Sequence, residues 1–572
     1  MRGRKFLVAA ICAVALGGPQ ADGEPWTPPP RLTASQAQAG VHADPEKIRA
    51  AVKLLASDGL EGRGTGQRGG DLAADYLAKQ FASLGLEPAG DNGTYFQAIP
   101  MIEVKTLADT AFTVVTPSLE TMKVRNLEEF VTSNESRTAS AYVDAPIVFV
   151  GYGIRAPEYG WDDYKDTILD GKVALVLADQ PASVGGKTFK GETLTDYGGW
   201  RYKFDETAQR GAIATLIIHR PGSPGDSWEV VRNSWGRARI YLEEDGASRL
   251  RAASWLASDA AKRLVAMAGF DLDQLFKQAQ SKDFRPIELP LRLQAHVASR
   301  IRPFVSRNVL AVRPARGAFA EEAVLYTAHY DHLGTDPGRQ GHNIYNGAVD
   351  ATGCGVLLEV ARAWAKTPAV PSRAIVFAAL AGEDQGLLGS EFLARHSPVP
   401  PGKISLDLNY DALPPIGEPE AVVVGGAERT TFYSTVKATT KALQLAIERD
   451  RPDDPGHRAS SDLNLARAGI PSFSLAAGQK FKGHPATWGA AQNRDYLEHR
   501  YRQPTDQYEP GMAFAGAARL ATLGYELGVQ AASQTDLVAW LPGDVFEAER
   551  KRSQRAEIQH RMPERKARRH PS

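Results

Sequence analysis

One imidazole and five carboxylates stand where buried apolar segments end, and together they have the make-up of a hydrolytic metal centre. The run Ala323-Val324-Leu325-Tyr326-Thr327-Ala328 reads as a buried strand that delivers His329, followed by the turn Tyr330-Asp331-His332-Leu333-Gly334. A neutral imidazole binds a borderline-soft cation well, and a carboxylate two residues on, Asp331, can orient or tune it. His332 is expected to turn away and pack. Asp350 lies just before a helix, where it either caps the helix or bridges two cations. The strand Ala374 to Ala381 leads to Glu383-Asp384, adjacent acids whose side chains diverge, so that one can bind metal and the other take a proton from water. A third strand segment, Ile404 to Asp411, offers Asp407 and Asp411, and the later one, at the strand's end, is the expected ligand.

These residues need a scaffold that brings strand ends together. From Ser306 onward strands and helices alternate, which predicts an α/β fold: a mixed, largely parallel sheet with helices on both faces and functional groups at the strands' carboxyl ends. Ahead of it, Ile48, Val52 and Leu55 mark one helical face and Leu72, Tyr76, Leu77, Phe81 and Leu84 another. The loop Gly59-Leu60-Glu61-Gly62-Arg63-Gly64-Thr65-Gly66 between them lacks the strand and Lys-Ser pair of a phosphate loop, and is expected to pack near the surface of the catalytic domain.

At 572 residues the chain exceeds one ordinary core. Its 67 basic and 67 acidic residues leave no global field to favour nucleic acid. Arg2, Arg4 and Lys5 precede the apolar run Phe6 to Leu16, the layout of a signal peptide ending between Gly17 and Gly23. Export to the periplasm or the extracellular space follows, with no stable membrane insertion after cleavage. Only Cys354 then remains, so neither an internal disulfide nor thiolate ligation is expected. The resulting division is 1–23 signal peptide, 24–43 linker, 44–143 first part of the catalytic domain, 144–285 an inserted module, 286–540 main part of the catalytic domain, and 541–572 a charged tail. Within the module, His219 and Trp200 are read as packing residues.

The segments His329-Tyr-Asp-His-Leu-Gly334, Asn346-Gly-Ala-Val-Asp-Ala-Thr-Gly353, Glu383-Asp-Gln-Gly-Leu-Leu-Gly-Ser390 and Asn409-Tyr-Asp411 resemble the M28 family of zinc peptidases, which includes secreted bacterial aminopeptidases. Residues 144–285 resemble a β-rich protease-associated domain. The M28 resemblance implies peptide substrates and one or two zinc ions per chain. His329 and Asp411 would bind one ion, Asp350 would bridge, and Asp384 would bind the second. Glu383 would be the general base and Asp331 the supporting carboxylate.

Three positions depart from the family pattern. Asp384 stands for its usual glutamate, Ser461-Asp462-Leu463 for its Ser-Asp-His, and Tyr501-Arg502-Gln503-Pro504 for a segment whose second residue is the last histidine ligand. Arginine offers no lone pair to a cation. A unit charge about 4 Å from a divalent ion costs roughly 8 kcal/mol at an effective dielectric of about 20, twice the value for a unit pair. Close to one tightly held ion is therefore expected, unless another histidine (His499, His484 or His457) completes the set. A catalytically weakened binding protein on the same fold is the competing expectation.

Overall fold

The structure is a computed structural model that describes residues 42–181, 196–220, 227–449 and 460–556. The signal peptide, most of the linker, His457 and the end of the charged tail lie outside the described residues. Two helices come first, α1 (Pro45–Leu55) and α2 (Arg68–Ser83). The Asp44 carboxylate accepts from Glu46 N and caps α1, while Ile48, Val52 and Leu55 are buried along the face that their spacing predicts.

Next come β1 (Phe96–Thr106), β2 (Ser140–Phe149), β3 (Val173–Leu177), α3 (Trp200–Gln209), β4 (Ala214–Ile218), α4 (Trp228–Trp235), β5 (Ala252–Leu256) and β6 (Ile287–Arg313). The remaining elements used below are β7 (Ala323–His329), α5 (Ala351–Lys366), β8 (Ala374–Leu380), α6 (Leu388–Arg395), β9 (Ile404–Tyr410), β10 (Ala421–Gly425), β11 (Ser472–Ala477), α7 (Trp488–His499) and α8 (Ala515–Ser533).

The 27-residue β6 joins two sheets. Its residues 299–309 pair antiparallel with β1, whereas 287–298 pair antiparallel with β2, and Ala111–Val115 lies on the other side of 292–296. From β2 the smaller sheet continues in parallel through β3, β4 and β5, then antiparallel to Phe130–Ser133. The expected module boundary at Asp144 therefore falls inside a strand. The early strands 111–115, 121–124 and 130–133 belong to the same smaller sheet as β2, β3, β4 and β5. Composition changes near 144, but composition does not record which strands pair.

The larger sheet runs β1, β6, β8, β7, β9, β11, β10, with β8, β7, β9 and β11 parallel. Every residue of β7, β8 and β9 is buried, as a parallel sheet covered on both faces requires. Alternation along β7 divides its side chains. Val324, Tyr326 and Ala328 pack in the core formed with α1, α2, α5 and α8, while Ala323 and Leu325 face Leu393 of α6, Leu465 and Ile470. The mixed α/β fold is as predicted.

Arg239–Leu242 returns from the insertion to form an edge strand beside β1. Thr106 and Ser299 are register partners, so residues 107–298 can be excised and the two ends joined by a short glycine linker. Excision removes that edge strand and the Arg201–Glu391 and Arg395–Asp245 ion pairs, at 2.6 Å each. None of the candidate metal-binding residues lies inside it. The expected result is a variant with a lower thermal midpoint that still retains zinc, as elemental analysis after gel filtration would show. A folded variant without metal would mean that the metal-binding residues depend on the excised segment for their positions.

Candidate metal centre

The three adjacent parallel strands β8, β7 and β9 end level with one another, with His329 opposite Leu380 and Ala328 opposite both Ala379 and Tyr410. This register places His329, the Glu383-Asp384 pair and Asp411 at one carboxyl edge of the sheet. Asp350 reaches the same edge from the position immediately before α5. Its side chain makes no capping hydrogen bond, so helix capping does not account for it. Glycine at 353 permits the approach, since a Cβ there would lie 2.8 Å from Tyr410 O. Donor atoms of His329, Asp350 and Asp411 all lie within 4.8 Å of one another.

His329 is buried, and its hydrogen bonds define its tautomer. Nδ1 lies 3.1 Å from the backbone carbonyl of Asp331, which can only accept, so Nδ1 carries a proton. In the neutral ring Nε2 then has a lone pair, and it faces Asp411 Oδ1 at 3.1 Å. Two acceptors in such contact need a cation, either a proton on the ring or a metal ion between them. One imidazole nitrogen with carboxylate oxygens suits zinc. Burial opposes ionisation of Asp411, but the adjacent His329 outweighs it and holds the carboxyl below its ordinary range.

Glu383 is outside this ligand group but beside it. Burial pushes its carboxyl well above the usual range, and Asp411 and Asp384 push it further against the opposing pull of His329. Its backbone is anchored by Asp331, whose Oδ1 accepts from Glu383 N at 3.2 Å and whose Oδ2 accepts from Thr65 Oγ1 at 2.6 Å. Asp331 thus acts on both neighbours, holding the imidazole through its carbonyl and the Glu383 main chain through its carboxylate. Asp407, the unchosen acid of β9, is buried within the strand and accepts from Thr327 Oγ1 at 3.0 Å.

Asp384 does not join the cluster of three. Arg502 Nη2 lies 2.8 Å from its Oδ1, and His332 Nδ1 is 2.9 Å from its Oδ2 and 3.2 Å from Asp350 Oδ2. Burial opposes ionisation of Asp384, yet Arg502 and then His332 hold the carboxyl well below its ordinary range. The expectation that His332 packs elsewhere is corrected. Gly347, at φ +54°, lets the backbone pass so close that a Cβ there would meet the His332 ring at 2.5 Å, which holds the ring toward the two aspartates. The other candidate histidines are remote in role. His499 is exposed beside Asp495, and His484 stacks on Trp488 at 3.8 Å.

Sequence reasoning missed Arg63. This fully buried guanidinium donates to four carbonyls: Tyr330 O at 2.8 Å, Leu55 O at 2.6 Å, Asn346 O at 2.6 Å and Gly347 O at 2.9 Å. It fastens the loops carrying His329, Asp331 and Asp350 to the N-terminal helices. The glycines around it serve close approach, for a Cβ on Gly62, at φ +66°, would lie 2.4 Å from Tyr345 O. The only available signal was an arginine amid glycines. Cys354 is buried, with its thiol pushed up to about 12 by burial, and its Sγ donates to His329 O at 3.1 Å. His219 packs against Trp228, and Trp200 packs against Trp235 and beneath Gly386, close to Asp384.

Residues 308–518, which include every candidate ligand, Glu383 and Arg502, match peptidase family M28. A protein named "Probable zinc metalloprotease" from Leptosphaeria maculans is 32% identical over 173 residues, covering 29% of this chain and 39% of that protein. Another of that description from Pyrenophora teres f. teres is 37% identical over 119 residues, covering 20% and 24%. The chain thus spans no more than about two fifths of the length of these curated relatives. Among solved structures, an aminopeptidase from Aneurinibacillus sp. strain AM-1 aligns with 90% of this chain and 99% of its own, at a TM-score of 0.52 and 17% identity, which establishes a shared fold.

Proposed function

We propose that this chain, whose residues 308–518 match peptidase family M28, is an exported zinc-dependent aminopeptidase that removes N-terminal residues from peptides. The observation that carries the reading is the buried contact of His329 Nε2 with Asp411 Oδ1, with Asp350 alongside, an arrangement that calls for a cation. His329, Asp350 and Asp411 would hold zinc, which when bound supplies Lewis acidity to polarise the scissile carbonyl and acidify water. Glu383 accepts the proton of the attacking water and returns it to the departing amine, a task suited to a carboxyl raised by burial. Asp331 holds both the His329 ring and the Glu383 main chain, so base and ligand keep a fixed separation.

The insertion is read as a protease-associated module that borders the cleft and selects peptides. Arg237 donates to Leu333 O at 2.5 Å and Arg239 to Gln385 O at 2.9 Å, so it grips both loops beside the site. Export rests on the basic and apolar leader, and among the described residues no helix is long and apolar enough to cross a membrane. The second reading, a binding protein with weakened catalysis, is favoured by one observation, the pairing of Arg502 with Asp384.

A panel of aminoacyl-arylamides with the purified full chain separates the two. The expected result is hydrolysis that a chelator abolishes and zinc restores. Retained zinc without hydrolysis of any member would favour the binding protein, and a chain that takes up no zinc would overturn the metallopeptidase reading.

A further inference from the structure

Arg502 is built into the site rather than left at its edge. The residue sits in the left-handed region, φ +55°, which is uncommon for residues other than glycine. Two residues of α4 hold it there: Asn233 Nδ2 donates to Arg502 O at 3.2 Å, and Ser234 Oγ accepts from Nη1 at 3.1 Å. Nη2 then meets Asp384 Oδ1 at 2.8 Å, while Nε is buried without a hydrogen-bond partner. Asp384 Oδ1 is taken up by Arg502, while His332 Nδ1 lies 2.9 Å from Asp384 Oδ2 and 3.2 Å from Asp350 Oδ2 without a well-formed hydrogen bond to either.

A second metal ion would need Asp384 and the free oxygen of Asp350. It would have to break the Arg502 pair and lie beside a guanidinium that stays charged. We infer that the chain replaces a second cation with Arg502, braced by the insertion, so that it holds a single ion at His329, Asp350 and Asp411. The inference rests on the metallopeptidase reading and specifies its metal centre. Asp384 becomes the counter-ion of Arg502 rather than a ligand. The insertion acquires a direct part in the site, since α4 sets where that charge lies.

Zinc stoichiometry of the full chain decides the matter, measured by elemental analysis after gel filtration and by calorimetric titration with zinc alone. The chain should retain one ion, and Asp384→Asn should retain it too. Arg502→His, which exchanges the cation for a ligand, should raise the count to two. Arg502→Met, which removes the charge without adding a donor, should stay at one. Thermal unfolding of each variant shows that it is folded. Two tightly held ions in the unmodified chain, or loss of zinc in Asp384→Asn, would overturn the inference and make His332 the nitrogen ligand of a second site. Failure to retain any zinc would instead remove the reading on which it rests.

Discussion

Replacing Glu383 with glutamine should reduce turnover by at least ~100-fold while leaving zinc content unchanged, because general-base catalysis contributes roughly 10²–10⁴. The substitution keeps size and hydrogen-bonding shape but removes the capacity to take a proton. Two observations separate Glu383 from the ligands. It is absent from the cluster formed by His329, Asp350 and Asp411, and its backbone is held by Asp331 rather than by any residue of that cluster. Its carboxyl, raised by burial, faces the same cluster, where attacking water has to lose a proton. Kinetics with an aminoacyl-arylamide and elemental analysis on one preparation test both halves of the expectation. Metal loss in the variant would make Glu383 a ligand, and near-normal turnover would place the base elsewhere.

How legible the site was depends on whether sequence-local physics determines each position. His329 and Asp411 were legible because unbroken apolar runs identify buried strands, and the residue ending such a strand in a parallel sheet lies at the functional edge. The choice between Asp407 and Asp411 followed from the same rule, and the structure leaves Asp407 inside β9, bonded to Thr327. His332 was misread because the turn alone leaves its direction open. Its ring is aimed by the main chain at Gly347, fifteen positions further along the chain. That β6 belongs to two sheets was not legible, because which strands join each half is a long-range fact that periodicity does not carry. Arg502 was legible as an anomaly, but its bracing was not, since Asn233 and Ser234 come from a different domain.

Arg63 is the extreme case of a residue whose role arises only in three dimensions, and its loss should damage the site more than any other change made outside the catalytic segments. Its four acceptors come from three separate stretches: Leu55 at the end of α1, Tyr330 between His329 and Asp331, and Asn346 with Gly347 ahead of Asp350. Truncation to methionine would leave all four buried carbonyls without this donor. An unmet buried polar group costs about 1–3 kcal/mol. Burial also depresses the guanidinium's own pKa, so the native arrangement carries a desolvation cost that the variant escapes. The net destabilisation should therefore fall below the simple sum, on the order of a few kcal/mol. Arg63→Lys should recover little, because one ammonium cannot span four carbonyls set around a planar fork. The loops carrying His329 and Asp350 would lose their common anchor, so zinc affinity should fall along with the unfolding midpoint. Hydrogen exchange should quicken first at residues 330–332 and 346–350. If Arg63→Met keeps both its midpoint and its zinc affinity, the two loops are held by the sheet edge alone, and the N-terminal helices do not support the metal centre.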